Sequence, residues 1–153
     1  MFINMEKFRF FYSPLVKILI GIVIAIAAAG LTLNIITVIN YAKSNAVLAV
    51  IYGVLCLLTA LLLAEAVAIA FYGLYRIKDG YLYSFFGFIY SKTDVKNIVA
   101  AQVFKKTEKL VVYYKDEKFS VIIISPEKYE DFIAALLKEN PDIKYLSDGT
   151  EVA

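Results

Sequence analysis

From Ala46 to Tyr75 the chain runs for thirty residues with one charge, Glu65, and its first 19 positions carry none. A second run, Ile18 to Ile39, is 22 residues long and uncharged. At about 1.5 Å per residue a helix of that length spans about 33 Å, close to the roughly 30 Å of a bilayer's hydrocarbon. A cleaved signal peptide is the competing reading, with Ala27-Ala28-Ala29 as the cleavage site. However, apolar sequence continues ten residues beyond it with no polar c-region. The runs are therefore read as two membrane helices, about 15–39 and 46–74. Between them Asn40 to Asn45 is long enough only to turn the chain straight back, so they form an antiparallel hairpin.

Residues 1–14 mix Lys7 and Arg9 with Phe8, Phe10, Phe11 and Tyr12. Aromatics beside cations suit the membrane–water interface, so this segment is expected to be an interfacial lead-in. Lys7, Arg9 and Lys17 flank the first helix, Arg76 and Lys78 leave the second on the same side, and Lys43 lies opposite. The excess of basic residues puts both termini in the cytoplasm of a multi-pass protein of the inner or plasma membrane.

Helices in lipid approach closely where residues are small. Gly21, Ala25 and Ala29 repeat every fourth position in the first helix, as do Ala60, Ala64 and Ala68 in the second, with Gly53 further along. A turn centred between Ala42 and Lys43 sets Gly21 opposite Ala64 and Ala25 opposite Ala60. The same register brings Lys17 within about a turn of Glu65, an intramembrane polar pair. Cys56 lies mid-helix, has no partner for an intramolecular disulfide, and is read as inert.

At Arg76 continuous apolarity gives way to period-two alternation punctuated by turns. Strands are expected at Arg76–Lys78, Tyr81–Phe85, Phe88–Ser91, Ile98–Lys105, Leu110–Lys115 and Phe119–Ile124, with Asp79-Gly80 as a two-residue hairpin turn. Ser125-Pro126-Glu127 opens a helix, with Ser as N-cap. Tyr129, Phe132, Ile133, Leu136 and Leu137 give it one apolar face, and Asn140-Pro141 ends it. Residues 146–153 are expected to be a frayed tail. The domains are then 1–75, the lead-in and hairpin, 76–145, the β-rich part, and 146–153. The fold class is α+β: a membrane hairpin followed by a small bent antiparallel sheet or partial barrel capped by a C-terminal helix.

The Arg76-Ile77-Lys78-Asp79-Gly80 hairpin, the polar Thr93-Asp94-Val95-Lys96-Asn97-Ile98 segment and Ile124-Ser125-Pro126-Glu127 before a terminal helix resemble the bacterial pleckstrin-homology-like domains. The likeness covers roughly Tyr75 to Tyr145. It implies a strongly bent sheet capped by the C-terminal helix, a position after membrane helices, and roles in binding and assembly rather than catalysis. Pleckstrin-homology domains that hold phosphoinositides do so with early basic loops, whereas the basic cluster here, Lys105, Lys106 and Lys109, lies in a later hairpin.

The chain has no His, one Cys and no Gly-rich phosphate loop, so it offers no metal cluster, no Ser–His or Cys–His nucleophile and no cofactor cradle. No enzyme, cofactor, small-molecule substrate or nucleic-acid partner is expected. Residues 76–115 carry net +5 and residues 116–153 net −5. An anionic leaflet attracts juxtamembrane cations, so the early strands, with Arg76 and Lys78, are expected to face lipid headgroups. The leading expectation is a membrane-anchored binding or assembly module whose partner is another membrane protein or a second copy. Headgroup sensing through Lys105, Lys106 and Lys109, and a small transport or ion-coupling subunit built around Glu65, are the alternatives.

Overall fold

The computed structural model of the chain describes residues 6–147 and 150–152. It is an α+β architecture of two long apolar helices, two β-sheets and a C-terminal helix. The chain divides into two compact units, a helical hairpin of residues 13–72 and a β unit that joins the N-terminal segment through Tyr12 to everything from Gly73 onward.

In the hairpin, α1 (Pro14–Tyr41) and α2 (Ala46–Tyr72) are each long and apolar enough to cross a membrane. Ser13 caps α1, its hydroxyl accepting from Val16 N–H at 3.4 Å with Pro14 at the first helical position. Asn45 Oδ1 accepts from Leu48 N–H at 3.1 Å and starts α2. The half-buried positions of α1 include Ile20, Ile24, Ala27, Leu31, Asn34 and Val38, and those of α2 include Ala49, Tyr52, Cys56, Thr59, Leu63 and Ala66. Steps of three and four residues make a heptad seam.

This seam differs from the expected small-residue interface. Gly21, Ala25, Ala29 and Ala64 are exposed, and a methyl group at Gly21 or Gly53 would meet no atom within 4 Å. Gly53 and Ala60 are half-buried and Ala68 is buried. The reason is polar. Asn34 Nδ2 donates to Thr59 Oγ1 at 3.2 Å, and Thr59 Oγ1 donates to the Leu55 carbonyl at 2.6 Å. An amide in an apolar hairpin is costly unless it is bonded, so Asn34 turns toward α2. At about 100° per residue, that rotates Ala25 to the far side of α1.

The β unit starts earlier than expected. β1 (Glu6–Arg9) pairs antiparallel with β2 (Leu74–Lys78), with Phe8 opposite Tyr75. Glu6–Arg9 is thus an edge strand of alternating polar and apolar residues, so the expected lead-in belongs to the β unit. The part of that lead-in before Glu6 lies outside the described residues. β3 (Tyr81–Phe86) and β4 (Ile89–Asp94) complete a sheet in the order β1-β2-β3-β4. Asp79 and Gly80, at φ 52° and 77°, form the tight turn between β2 and β3. Asp94 Oδ1 accepts from Lys96 N–H at 2.9 Å and caps a 3-10 turn over Val95–Asn97, which leads into the second sheet.

That sheet holds β5 (Ile98–Phe104), β6 (Lys109–Tyr114), β7 (Phe119–Ile122), β8 (Lys144–Ser147) and β9 (Thr150–Val152) in the order β7-β6-β5-β8-β9. Residues Lys144–Ser147 are therefore a strand, paired parallel to β5, and Thr150–Val152 adds a further one. The expected tail at 146–153 otherwise lies outside the described residues. α3 (Tyr129–Glu139) follows a 3-10 turn at Pro126–Lys128, and Ser125 makes no side-chain cap. Its face of Tyr129, Phe132, Ile133 and Leu136 is buried, packing with Phe8, Tyr75, Ile77, Leu82, Ile98, Leu110 and Val112 into one core. Phe132 lies edge-on to Phe8 at 5.1 Å and to Tyr75 at 5.8 Å.

Candidate functional site

The hairpin is inserted between two hydrogen-bonded neighbours. β1 ends at Arg9 and leads through Phe10–Tyr12 into α1, and α2 returns through Gly73 into β2. Arg9 pairs with Leu74, and Phe10 N–H donates to the Gly73 carbonyl at 3.0 Å. Gly73 is required there, because a Cβ would stand 2.6 Å from the Phe10 ring and 2.8 Å from Tyr12 Oη. Both crossings between the units thus leave one end of the first sheet.

Strand pairing brings two loops to that end. β3 runs antiparallel to β2, so the β3–β4 turn comes back beside Leu74. In the register Leu74 pairs with Phe85, Phe85 with Tyr90, and Phe86 with Ile89. Gly87 at φ 64° takes the first turn position, where positive φ is needed. The tip is apolar and open: Phe88 is 72%, Ile89 67% and Tyr90 63% exposed. Phe86 is packed on Phe10 at 4.7 Å. The second loop is the β5–β6 turn with Lys105, Lys106 and Lys109. Leu110 pairs with Ile122, and the next carbonyl, of Ile123, accepts from Phe11 N–H at 3.0 Å. The basic cluster therefore lies two strands from Phe11, and its three lysines are exposed.

The outward face of the first sheet carries cations interleaved with aromatic rings. Alternation from Phe8, Tyr75, Ile77 and Leu82, which point inward, turns Lys7, Arg9, Arg76, Lys78, Tyr81, Tyr83, Phe85, Tyr90 and Lys92 outward. Lys92 Nζ lies 3.6 Å from the centroid of the Tyr81 ring and 5.7 Å from that of Tyr83, and the Arg76 guanidinium carbon is 5.5 Å from that of Phe85. Asp94, opposite Tyr81, supplies acid on this face, and Lys78 is engaged by Asp79 at 3.3 Å. Of these residues, the sequence reading singled out Arg76 and Lys78 for lipid and treated Lys7 and Arg9 only as helix flanks. The ring ladder of Tyr81, Tyr83 and Phe85 and the cation at Lys92 were missed, although the Tyr-Leu-Tyr-Ser-Phe alternation carries them.

Lys17 and Glu65 are not brought level. Asn34 reaches Thr59, Tyr41 stacks on Tyr52 and Gly30 approaches Thr59, so Glu65 stands level with a point about two to three turns further along α1 than Lys17. The turn does not centre where the expected register required. Glu65 is half-buried and Lys17 exposed.

Two grooves also mark the β unit. One, of about 640 Å³, runs along β1 beside Ser125, Lys128 and Asp131; the other, of about 420 Å³, lies between Thr93, Asn97 and the β6–β7 turn. Among the described residues no three His, Cys, Asp or Glu side chains gather as metal ligands. Comparison with protein-family models, with curated proteins and with solved structures finds no match.

Proposed function

We infer that the chain is a membrane-anchored, non-enzymatic binding module. In this reading the hairpin spans the cell membrane and a pleckstrin-homology-like β unit stands on the cytoplasmic face. There it holds another membrane protein or a second copy of the chain. Seven antiparallel strands, β1–β7 of the nine described in two sheets, with an amphipathic helix buried against them support the pleckstrin-homology-like reading. The basic residues that flank both helices on one side support the orientation.

The observation that carries this proposal is the insertion of the hairpin between paired strands. A domain hung on one flexible linker would sample a wide volume. Here two chain crossings leave adjacent, hydrogen-bonded strands, with Ser13 capping α1 directly after Tyr12. Such an attachment keeps a binding surface tethered near the membrane, which favours recognition of partners that are themselves in the membrane. Chemical crosslinking in native membranes followed by mass spectrometry tests it. The expected result is a reproducible crosslink from the β unit to one membrane protein or to itself. A β unit that crosslinks only to abundant cytosolic proteins, or a periplasm-active reporter fused behind Ala153 that proves active, overturns it.

A further inference from the structure

The outward face of the first sheet is ordered along its strands, and the order has a direction. At the end where the chain leaves for α1 and returns from α2, the β3–β4 turn projects Phe88 at the tip, with Ile89 exposed beside it on the other face of the ribbon, where it pairs with Phe86. The first cross-strand row behind it is Arg9, Leu74, Phe85 and Tyr90. The next is Lys7, Arg76, Tyr83 and Lys92, three cations and a tyrosine. Strand geometry sets rows two residues apart at about 7 Å. From the tip inward this end of the sheet therefore reads apolar, then a mixed row of two rings, Leu74 and Arg9, then a mainly cationic row, over roughly 15 Å. A bilayer surface has the complementary profile over a similar depth: acyl chains, an interfacial zone that favours Tyr, then anionic headgroups.

We propose that this face is a lipid-docking surface, with Phe88 and Ile89 entering the acyl boundary and Arg76 and Lys92 meeting headgroup phosphates of the same bilayer that holds the hairpin. The inference rests on the hairpin being set in a membrane, and it adds a third attachment point to the two chain crossings. Lys92 is already positioned over Tyr81 and Tyr83, so little side-chain freedom is lost when it meets a phosphate. The partner is a lipid surface rather than a nucleic acid, because the exposed tip is apolar and Phe88 and Ile89 offer nothing to a phosphodiester backbone.

The chain contains no Trp, so Ile89→Trp gives a single reporter in the full protein. It is reconstituted into vesicles of equal parts phosphatidylglycerol and phosphatidylcholine. The emission should shift to the blue and be quenched by lipids brominated in their acyl chains, while Phe119→Trp, on β7, is quenched by aqueous iodide instead. Adding Lys92→Gln to the Ile89→Trp protein should lower the docked-to-undocked ratio about fivefold, as should high salt, and neither should matter in pure phosphatidylcholine. Residue 89 emitting as if in water overturns the proposal. So does a reporter shielded from both quenchers, which would mean that protein covers the turn, and so does quenching indifferent to lipid charge. Flotation separates the two readings. A protein that does not float with the vesicles removes the membrane anchor itself, whereas a floating protein with residue 89 in water removes only the docking surface.

Discussion

Tyr75 is the residue at which the two sheets, α3 and the hairpin attachment meet. Its ring touches Phe10 at 4.7 Å and Phe132 at 5.8 Å, its hydroxyl accepts from Ile123 N–H at 3.4 Å, and burial raises its pKa from 10.0 to about 12. The unfolded chain releases this proton near pH 10 and the folded one only near pH 12, so the folded state binds more protons in between. The stability Tyr75 contributes is fully present below pH 10 and is lost as pH rises through about 12. Alkaline titration of thermal stability, followed by circular dichroism, should show that loss, on the order of 2 kcal/mol. Tyr75→Phe should flatten the decline while losing the bond to Ile123. At this scale the sequence misled in one direction. Tyr75 reads as the last interfacial anchor of an apolar run, since nothing local distinguishes a ring that meets lipid from one that meets Phe132. Glu65 and Lys17 show the same limit, because their separation depends on Asn34 finding Thr59, a contact made 25 positions away.

Elements whose fold is decided locally are the ones that the sequence makes legible. Asp79-Gly80 must accept positive φ twice, and Asp-Gly is one of the few pairs that offer it cheaply. The turn is then locked from a distance, Gly80 N–H donating to Glu139 Oε2 at 2.7 Å and the Gly80 carbonyl accepting from Val95 N–H at 2.9 Å. Gly80→Ala strains φ 77° in a turn that cannot relax. It should cost about 1 kcal/mol and lower the melting temperature of the β unit by about 4–8 °C, read by differential scanning calorimetry in micelles. An unchanged transition would mean that the turn is not part of the cooperative unit. α3 is equally legible, because its five apolar positions fall on one face whatever they pack against. The second sheet is less so. β8 lies parallel to β5, and a parallel strand is specified by a partner more than forty residues earlier and by nothing in its own four residues. The packed face of α1 was misread for a related reason: Gly and Ala mark where helices can approach, whereas the hydrogen bond from Asn34 decides where they do.

At the scale of the whole molecule the least legible fact is the pairing of β1 with β2 across the hairpin. The sequence places a domain boundary at Arg76, because composition changes there, yet the β unit begins before the two apolar helices. Phe8 is buried against Phe132, so the first strand supplies core and not merely an edge. This makes a strong prediction about what the β unit needs. Arg9 already faces Leu74, and Phe10 bonds Gly73, so a few Gly and Asn residues can replace the sixty of Ser13–Tyr72 without moving either strand. Shortening that loop from sixty residues to about four should recover about 2 kcal/mol of closure entropy. The resulting protein should be soluble, with one cooperative unfolding transition by circular dichroism. A chain that begins at Gly73 instead keeps every residue after the hairpin but loses Phe8, at a cost of about 3–5 kcal/mol, and leaves β2 as a bare edge. It should not fold. If the two chains behave alike, β1 is dispensable and the β unit is held together by the residues after the hairpin alone. If only the looped version folds, the helical hairpin is an insertion into a complete domain, and β1 and β2 are the two strands that carry it.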